Sequence, residues 1–259
     1  MSKMTAVYKK ELSSYFINPL GYVFVSVFLA VSSLIFCFTT YKAKSYDTST
    51  YFTLLIFAFI ILIPLLTMKL FSDERRMKTE QLIMTSPVTI TGMVFGKFLA
   101  AFTVFAGSLA VSAVNFIPLY SIAFAERNGD PYHYAHIGPV TGQIVGSFIG
   151  ILLIGAAFIA IGMFVSAFFE DQLAAAITSI GVILFMVMVG FANQLTDAEG
   201  NKIISVYAVR FVLDWISVLS RYANFGYGIF DFASVLYYFS IAGVFIFLTV
   251  RVYDRRRWA

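Results

Sequence analysis

The stretch that decides the fold is residues 141–195, which read TGQIVGSFIGILLIGAAFIAIGMFVSAFFEDQLAAAITSIGVILFMVMVGFANQL. A membrane-spanning helix needs about 20 mostly apolar residues, so this stretch is long enough for two of them. Its only interruption is Glu170, Asp171 and Gln172. We therefore expect these three residues to form a tight turn at a membrane surface.

The rest of the chain has the same character. Hydrophobic residues make up 60% of the sequence and charged residues 12%, whereas soluble proteins have about 45–50% and about 25%. Pro118 lies inside one of the apolar runs, where a proline is expected to kink a helix. The sequence predicts an all-α membrane protein, with 1–259 as one transmembrane domain. Its six predicted spans are 21–41, 51–71, 93–124, 141–169, 172–195 and 232–251.

Lysine and arginine predict the orientation, because these residues are concentrated in the cytoplasmic connections of membrane proteins. With the amino terminus inside, only six of the 18 lie on outer segments. Both termini are therefore expected in the cytoplasm, which an even number of spans requires. The residues on inner segments are Lys3, Lys9, Lys10, Lys69, Arg75, Arg76, Lys78, Lys97, Arg251, Arg255, Arg256 and Arg257.

An amphipathic helix is predicted within residues 1–20, ahead of the first span. Apolar residues recur there at intervals of three and four, while Lys9, Lys10 and Glu11 lie elsewhere around the helix. Such a helix is expected to lie in the inner headgroup layer. The apolar positions are Met4, Tyr8, Leu12, Tyr15 and Phe16.

A second amphipathic helix is predicted at 203–221, between spans five and six. Its strongly polar residues, which form one stripe, are Arg210, Asp214, Ser217 and Arg221. We expect an interfacial or re-entrant helix at the outer surface, with Arg210 and Asp214 able to pair. The alternative is a seventh span, which would place that pair at membrane depth.

Several function classes are disfavoured by what the sequence lacks. We expect no ionisable group inside the six spans, whereas coupled carriers normally need such groups. The sequence has no P-loop and no Gly-x-Ser-x-Gly elbow, so we expect no ATP hydrolysis and no enzyme activity from this chain. One cysteine, Cys37, and two loop histidines, His133 and His136, predict no metal site.

Glycines repeat at intervals of four in the predicted fourth span, at Gly142, Gly146 and Gly150. Such ridges let two helices approach closely. Gly92 and Gly96 begin a similar ridge at the predicted third span. The partner helix of either ridge is in the same subunit or in a second copy of the chain, and the sequence leaves both interpretations open.

The connection at 72–92 is the most informative segment. Residues 72–87 read SDERRMKTEQLIMTSP, a run of both charge signs that leads into a short helix-forming stretch stopped by Pro87. Charges around an exposed apolar surface suit docking into a groove on another protein. The alternative is a solvated loop followed by a helix that lies on the membrane.

At this connection the chain resembles permeases of ABC transporters of the second export type (ABC-2). The family motif reads Glu-Arg-x-x-Gly-Thr-x-Glu-x-Leu-Leu-x-x-Pro, and Lys78 stands where the family often has glycine. Residues 9–20 and 142–172 resemble further parts of the family, and 225–258 resembles the branch with gliding-motility and nitrous-oxide-reductase accessory permeases. The residues that fit the motif are Glu74, Arg75, Thr79, Glu80, Leu82, Ile83 and Pro87.

The resemblance implies a permease subunit of an exporter in a bacterial cell membrane. Separate ATPase subunits would hold ATP and Mg²⁺, with no cofactor on this chain. Other implied partners are membrane lipid, a second permease copy or homologue, and an accessory extracytoplasmic protein; nothing implies nucleic acid. A coupling helix would seat in the ATPase, with a smaller second contact at Glu170, Asp171 and Gln172. The main coupling residues would be Glu74, Arg75, Arg76, Thr79, Glu80, Leu82 and Ile83.

Two alternatives remain beside the permease. One is a membrane scaffold or accessory subunit that uses the same fold without moving a solute. The other is a secondary carrier or a membrane enzyme, which the expected absence of ionisable groups from the spans disfavours.

Overall fold

The computed structural model describes residues 3–43, 46–79, 89–129, 138–192 and 217–258. Within these ranges the chain forms ten α-helices and no strand. The helices are α1 Lys3–Ile17, α2 Pro19–Phe36, α3 Ser49–Thr67, α4 Lys69–Arg76, α5 Ile90–Ser112, α6 Phe116–Gly129, α7 Thr141–Ser166, α8 Gln172–Ala192, α9 Val218–Gly226 and α10 Phe232–Trp258.

Six helices or continuous helix pairs in the described ranges are long and apolar enough to cross a membrane. The described residues therefore contain the six predicted spans, and the all-helical, multi-pass class is confirmed. The six segments are Pro19–Tyr41, Ser49–Arg76, Ile90–Glu126, Thr141–Ser166, Gln172–Gly190 and Phe232–Arg256.

The predicted bounds need correction on both sides of the 72–92 connection. The helix of the second span continues through α4, so residues 72–76 are helical and not loop. The third span begins at Ile90, three residues before its predicted start at 93. It is interrupted by a 3₁₀ turn at Ala113–Asn115. Pro118 cannot donate a backbone hydrogen bond to the preceding turn, which accounts for a break at this point.

Aromatic rings from several helices meet in the interior, among many aliphatic side chains. α7 lies at the centre and contacts α3, α5, α8, α9 and α10. The rings of Phe28, Phe59 and Phe105 meet with centroids 5.2 to 6.4 Å apart. Because lipid tails are as apolar as these side chains, close packing and not exclusion from water holds such helices together. A second group of rings, all buried except the half-buried Phe148, consists of Phe36, Tyr51, Phe52, Phe116 and Phe148.

The connections divide between two ends of the bundle. At the end that carries α4, the ring of Phe71 lies 4.7 Å from that of Tyr253 near the end of α10. α1 lies at this end as well, so both terminal helices share it. At the opposite end, the Tyr46 hydroxyl donates to Glu126 at 2.5 Å. We call these the α4 end and the opposite end.

The predicted outer helix at 203–221 is wrong at its carboxyl-terminal part. Ser217 has an extended backbone and caps α9, since its hydroxyl accepts a hydrogen bond from the Ser220 N–H at 3.1 Å. A serine hydroxyl satisfies a donor that the first helical turn leaves open, so a helix starts here instead of continuing through. α9 then extends to Gly226, beyond the predicted end. Residues 203–216, with the proposed Arg210–Asp214 pair, lie outside the described residues.

Candidate functional site at the α4 end

A buried lysine organises the α4 end. Lys97 lies in the second turn of α5, and its side chain is only 2% exposed. Its ammonium donates to the Glu74 carboxylate at 2.7 Å and to the Leu70 carbonyl at 2.6 Å. The Glu11 carboxylate lies 3.3 Å away, and the ring of Phe71 lies 4.9 Å from the ammonium. We call Lys97, Glu74 and Glu11 the buried triad.

Lys97 corrects the prediction that the six spans lack ionisable groups. It lies within the predicted span at 93–124, and it is almost completely buried. A charge inside a membrane protein needs a partner, and α1 and α4 supply carboxylates from two distant parts of the sequence. An ionisable residue within an apolar run is itself the signal that could have located this site.

The predicted position of Glu11 is also wrong. The helical wheel placed this residue on the polar, solvent-facing side of α1. Its side chain is only 14% exposed and points toward Lys97. The neighbouring Tyr15 is also buried, and its hydroxyl donates to the Leu66 carbonyl at 3.0 Å. Burial, reinforced by the charge of Glu11, raises the pKa of Tyr15 well above its usual range. The face of α1 that carries Glu11 and Tyr15 therefore packs on protein.

The opposite side of α4 contacts the turn between α7 and α8. Arg75 donates to the Glu170 carboxylate at 2.9 Å and to the Phe168 carbonyl at 2.6 Å. Beside this contact, the side-chain amide of Gln172 donates a hydrogen bond to the Asp73 carboxylate. The predicted turn between the fourth and fifth spans is present, but it comprises 167–171, because Gln172 is already the first residue of α8; it lies against α4. We call Arg75 with Glu170 the surface clamp.

Ser166 holds the start of α4 in place. Its hydroxyl donates to the Met68 carbonyl at 3.0 Å and accepts from the backbone N–H groups of Phe71 and Ser72.

Arg256 from α10 donates to the Ala167 carbonyl at 2.8 Å. These contacts join the carboxyl-terminal helix to the same turn. Sequence reasoning missed both Ser166 and Arg256, because a lone serine and a basic cluster are common at the ends of spans.

The end of α4 has a defined backbone geometry. The Lys78 N–H bonds to the Arg75 carbonyl and the Thr79 N–H to the Glu74 carbonyl, each at 3.0 Å. This pair of bonds is a Schellman motif, which requires a left-handed residue at its centre. Lys78 occupies that position with φ of 55°. Lys78 therefore has the backbone conformation that glycine adopts most readily, at the position where the motif of the similar permeases has glycine.

The predicted coupling residues fall into three groups. Glu74 and Arg75 are partly buried and bonded within the chain, as described above. Arg76 and Thr79 are exposed, as are Glu170 and Asp171 on the adjoining turn, whereas Gln172 is half-buried. Glu80, Leu82 and Ile83 lie outside the described residues, as does Pro87.

The glycine ridge of α7 packs within the chain. A Cβ atom added at Gly146 would lie 2.8 Å from the Phe225 carbonyl oxygen, and one at Gly150 would lie 2.9 Å from the Phe225 Cβ. The backbone of Gly142 lies beside Gly228. The close approach is therefore to α9 and the turn after it, which favours the same-subunit interpretation over the homodimer one.

The glycines near the start of α5, Gly92 and Gly96, also pack against a helix of the same chain, which is α1. A Cβ atom added at Gly96 would lie 3.1 Å from Val7 Cγ1. Because the ridge lets α1 approach this closely, Glu11 reaches Lys97 directly. The small residues of α5 thus position one member of the buried triad.

Among the described residues, no group of three or more His, Cys, Asp or Glu side chains is placed to hold a metal ion. His133 and His136 lie outside them. The chemistry available at the α4 end is therefore that of charged and hydrogen-bonding groups. A comparison with models of known protein families finds none that matches this chain, and a comparison with curated proteins finds no relative.

Proposed function

We propose that this protein is the transmembrane permease subunit of an ATP-driven ABC exporter. In this proposal the α4 end faces the cytoplasm, and separate ATPase subunits dock there. Their ATP-dependent closure moves α4 and opens a path for the substrate between two permease subunits. A ligand shifts a conformational equilibrium only by its differential affinity for the two states, so ATP bound to the partner supplies the driving free energy.

The observation that carries the proposal is the surface clamp. The resemblance assigns ATPase contact to two segments that are almost 100 residues apart in sequence, 74–83 and 170–172. The Arg75–Glu170 contact at 2.9 Å joins the described parts of these segments into one surface. A partner seated on that surface would contact both segments at once.

The geometry of Lys78 gives further support. The family motif has glycine at this position, and Lys78 has the left-handed conformation that glycine adopts most readily. The motif and the backbone geometry therefore agree, although the residue itself differs. The distribution of basic residues supports the cytoplasmic orientation, because the α4 end carries α1, α4 and the end of α10.

Co-purification tests the proposal. The affinity-tagged chain, extracted from its native membrane in mild detergent, should carry with it a polypeptide that binds and hydrolyses ATP. The variant Glu80→Lys should lose that partner and ATP-dependent transport while still inserting in the membrane. A matched control is Glu126→Lys, which makes the same charge change at the opposite end and should keep the partner.

The outcomes separate the open alternatives. An ATPase that co-purifies without any ATP-dependent solute movement would favour a scaffold or accessory subunit. Purified chain that moves a solute with no partner present would favour a secondary carrier and would overturn the proposal. Retention of the ATPase by Glu80→Lys at the wild-type level would contradict the docking role of the 74–83 segment.

A further inference from the structure

The last helix of the chain, α10, has a buried face and an exposed face that both continue from the membrane span into its basic end. Val250 and Tyr253 belong to the buried face, at 8% and 1% exposure. Val244 and Phe247 belong to the exposed face, at 54% and 55%. Because lipid tails are as apolar as these side chains, the exposed face of the span suits contact with lipid.

Two arginines continue this exposed face beyond its apolar part. Arg251 follows Phe247 by four residues and Arg255 follows Arg251 by four, a spacing that places all three on one side of the helix. Both arginines are exposed, and the guanidinium of Arg251 lies 5.0 Å from the centre of the Phe247 ring. Stacking on a ring holds a guanidinium in place while its N–H groups stay available. The exposed face therefore passes directly from apolar side chains to two guanidinium groups.

The charge of these two arginines is not compensated within the described ranges. Neither Arg251 nor Arg255 forms an ion pair there, although the half-buried Asp254 lies between them in sequence. Arg256 differs, because it is half-buried and donates to the Ala167 carbonyl at 2.8 Å. The end of α10 thus presents positive charge next to an exposed apolar surface.

We propose that this end of α10 binds the headgroup of an anionic phospholipid. The phosphate would accept hydrogen bonds from Arg251 and Arg255, whose planar guanidinium groups match phosphate oxygens, and the acyl chains would lie along Val244 and Phe247. Choline and ethanolamine headgroups carry a cationic amine that cancels the phosphate charge, so an anionic headgroup gains most from two uncompensated arginines. The inference goes beyond the proposed function and does not depend on an ATPase partner.

The test is lipid retention by the purified full-length chain, measured by native mass spectrometry. The chain is exchanged into micelles with equal amounts of phosphatidylglycerol, phosphatidylethanolamine and phosphatidylcholine that have the same acyl chains. One basic residue near an anionic membrane surface corresponds to about a fivefold gain in affinity, so we expect the glycerol lipid to be retained at least about fivefold over each of the other two. Equal retention of all three, or preference for either zwitterionic lipid, would overturn the proposal.

Paired substitutions locate the effect. The double variant Arg251→Gln with Arg255→Gln changes only exposed side chains and should retain the three lipids equally. The matched control, Arg76→Gln with Lys78→Gln, removes the same charge from exposed residues outside α10 and should keep the preference for the glycerol lipid. Persistence of the preference in the α10 variant would contradict binding at these arginines. Its loss in both variants would also contradict it, because the preference would then depend on net charge alone.

A competition experiment separates a lipid from a soluble anion. Inorganic phosphate, added in excess over the lipid, has the charge of the headgroup but no acyl chains to lie along the exposed face of α10. We therefore expect the glycerol lipid to stay bound to the wild-type chain. Displacement of the lipid by inorganic phosphate would overturn the proposal and assign the surface to a soluble anion.

Discussion

Glu74 and Arg75 are neighbours in sequence, yet they make contacts of two different kinds on two sides of α4. Glu74 belongs to the buried triad, with Lys97 only 2% exposed. Arg75 belongs to the surface clamp, whose partner Glu170 is 69% exposed. One contact joins α4 to α1 and α5, and the other joins it to the turn before α8.

The difference in burial determines how much each contact contributes to the free energy of unfolding. Removing one member of a buried ion pair leaves an uncompensated charge and costs about 3–5 kcal/mol. Exposed pairs typically contribute about 0–1 kcal/mol, because water screens the charges and competes for them. We therefore expect the buried triad to fix the position of α1 and α4, and the surface clamp to be strong enough only to align two segments.

The largest expected effect comes from Lys97→Met. This change leaves Glu11 and Glu74 close together without their shared cation, and should lower the free energy of unfolding by about 3–5 kcal/mol. The measurement is unfolding in detergent micelles by titration with a denaturing detergent. Lys9→Met, which removes an exposed lysine of α1, is the control and should change stability little. Equal losses in both variants would contradict the central position of Lys97.

Glu74→Gln should have a smaller effect than the loss of Lys97. The amide keeps a hydrogen-bond acceptor for Lys97, and the remaining pair of Lys97 and Glu11 is neutral. We expect a loss of about 1–3 kcal/mol, the range for replacing a hydrogen bond to a charged group. The same unfolding titration measures it. A loss as large as that of Lys97→Met would show that the two carboxylates do not share one cation.

Lys78→Gly should stabilise the end of α4, between the two contacts. A left-handed conformation costs an L-residue about 1–2 kcal/mol, and glycine avoids this cost while gaining freedom in the unfolded chain. We expect a net gain of about 1 kcal/mol, measured by the same titration. Lys78→Ala serves as the control, because it removes the charge and keeps the strain; an equal gain in alanine would assign the effect to charge.

The smallest expected effect is that of Glu170→Gln in the surface clamp. Because Glu170 is exposed, the stability should fall by no more than about 1 kcal/mol. Its influence should appear instead in partner binding, if the ATPase contacts this turn. Raised salt should weaken the clamp in the wild type, since exposed charges are screened. A stability loss comparable to that of Glu74→Gln would remove the distinction between the two sides of α4.

The spans and the turn at Glu170 could be predicted from sequence because each depends on local composition. An apolar run of sufficient length forms a helix in a bilayer whatever its neighbours are. The continuation of the second span through 72–76 was missed for the opposite reason, and only the family resemblance implied a helix from Glu74 onward. A charged run is typical of a loop, and only the contacts of α4 with Lys97, Ser166 and Glu170 explain why the helix continues.

The buried triad could not be predicted from local pattern, because its members come from three separate segments. The helical wheel placed Glu11 with Lys9 and Lys10 on a polar face, and nothing in α1 alone indicates a buried lysine in α5. Gly96 was recognised as a site of close packing, but its partner Val7 was not. The break at Ser217 was missed because the polar stripe continued through it, although serine is a strong capping residue.

Site-directed photocrosslinking can determine whether the α4 end contacts an ATPase partner, as we propose. A photoreactive amino acid replaces Met77, which is 68% exposed at the end of α4, or Glu126 at the opposite end. We expect residue 77 to capture an ATP-binding polypeptide in native membranes and residue 126 to capture none. Capture from residue 126 alone, or no ATP-binding polypeptide from residue 77, would contradict the proposed contact.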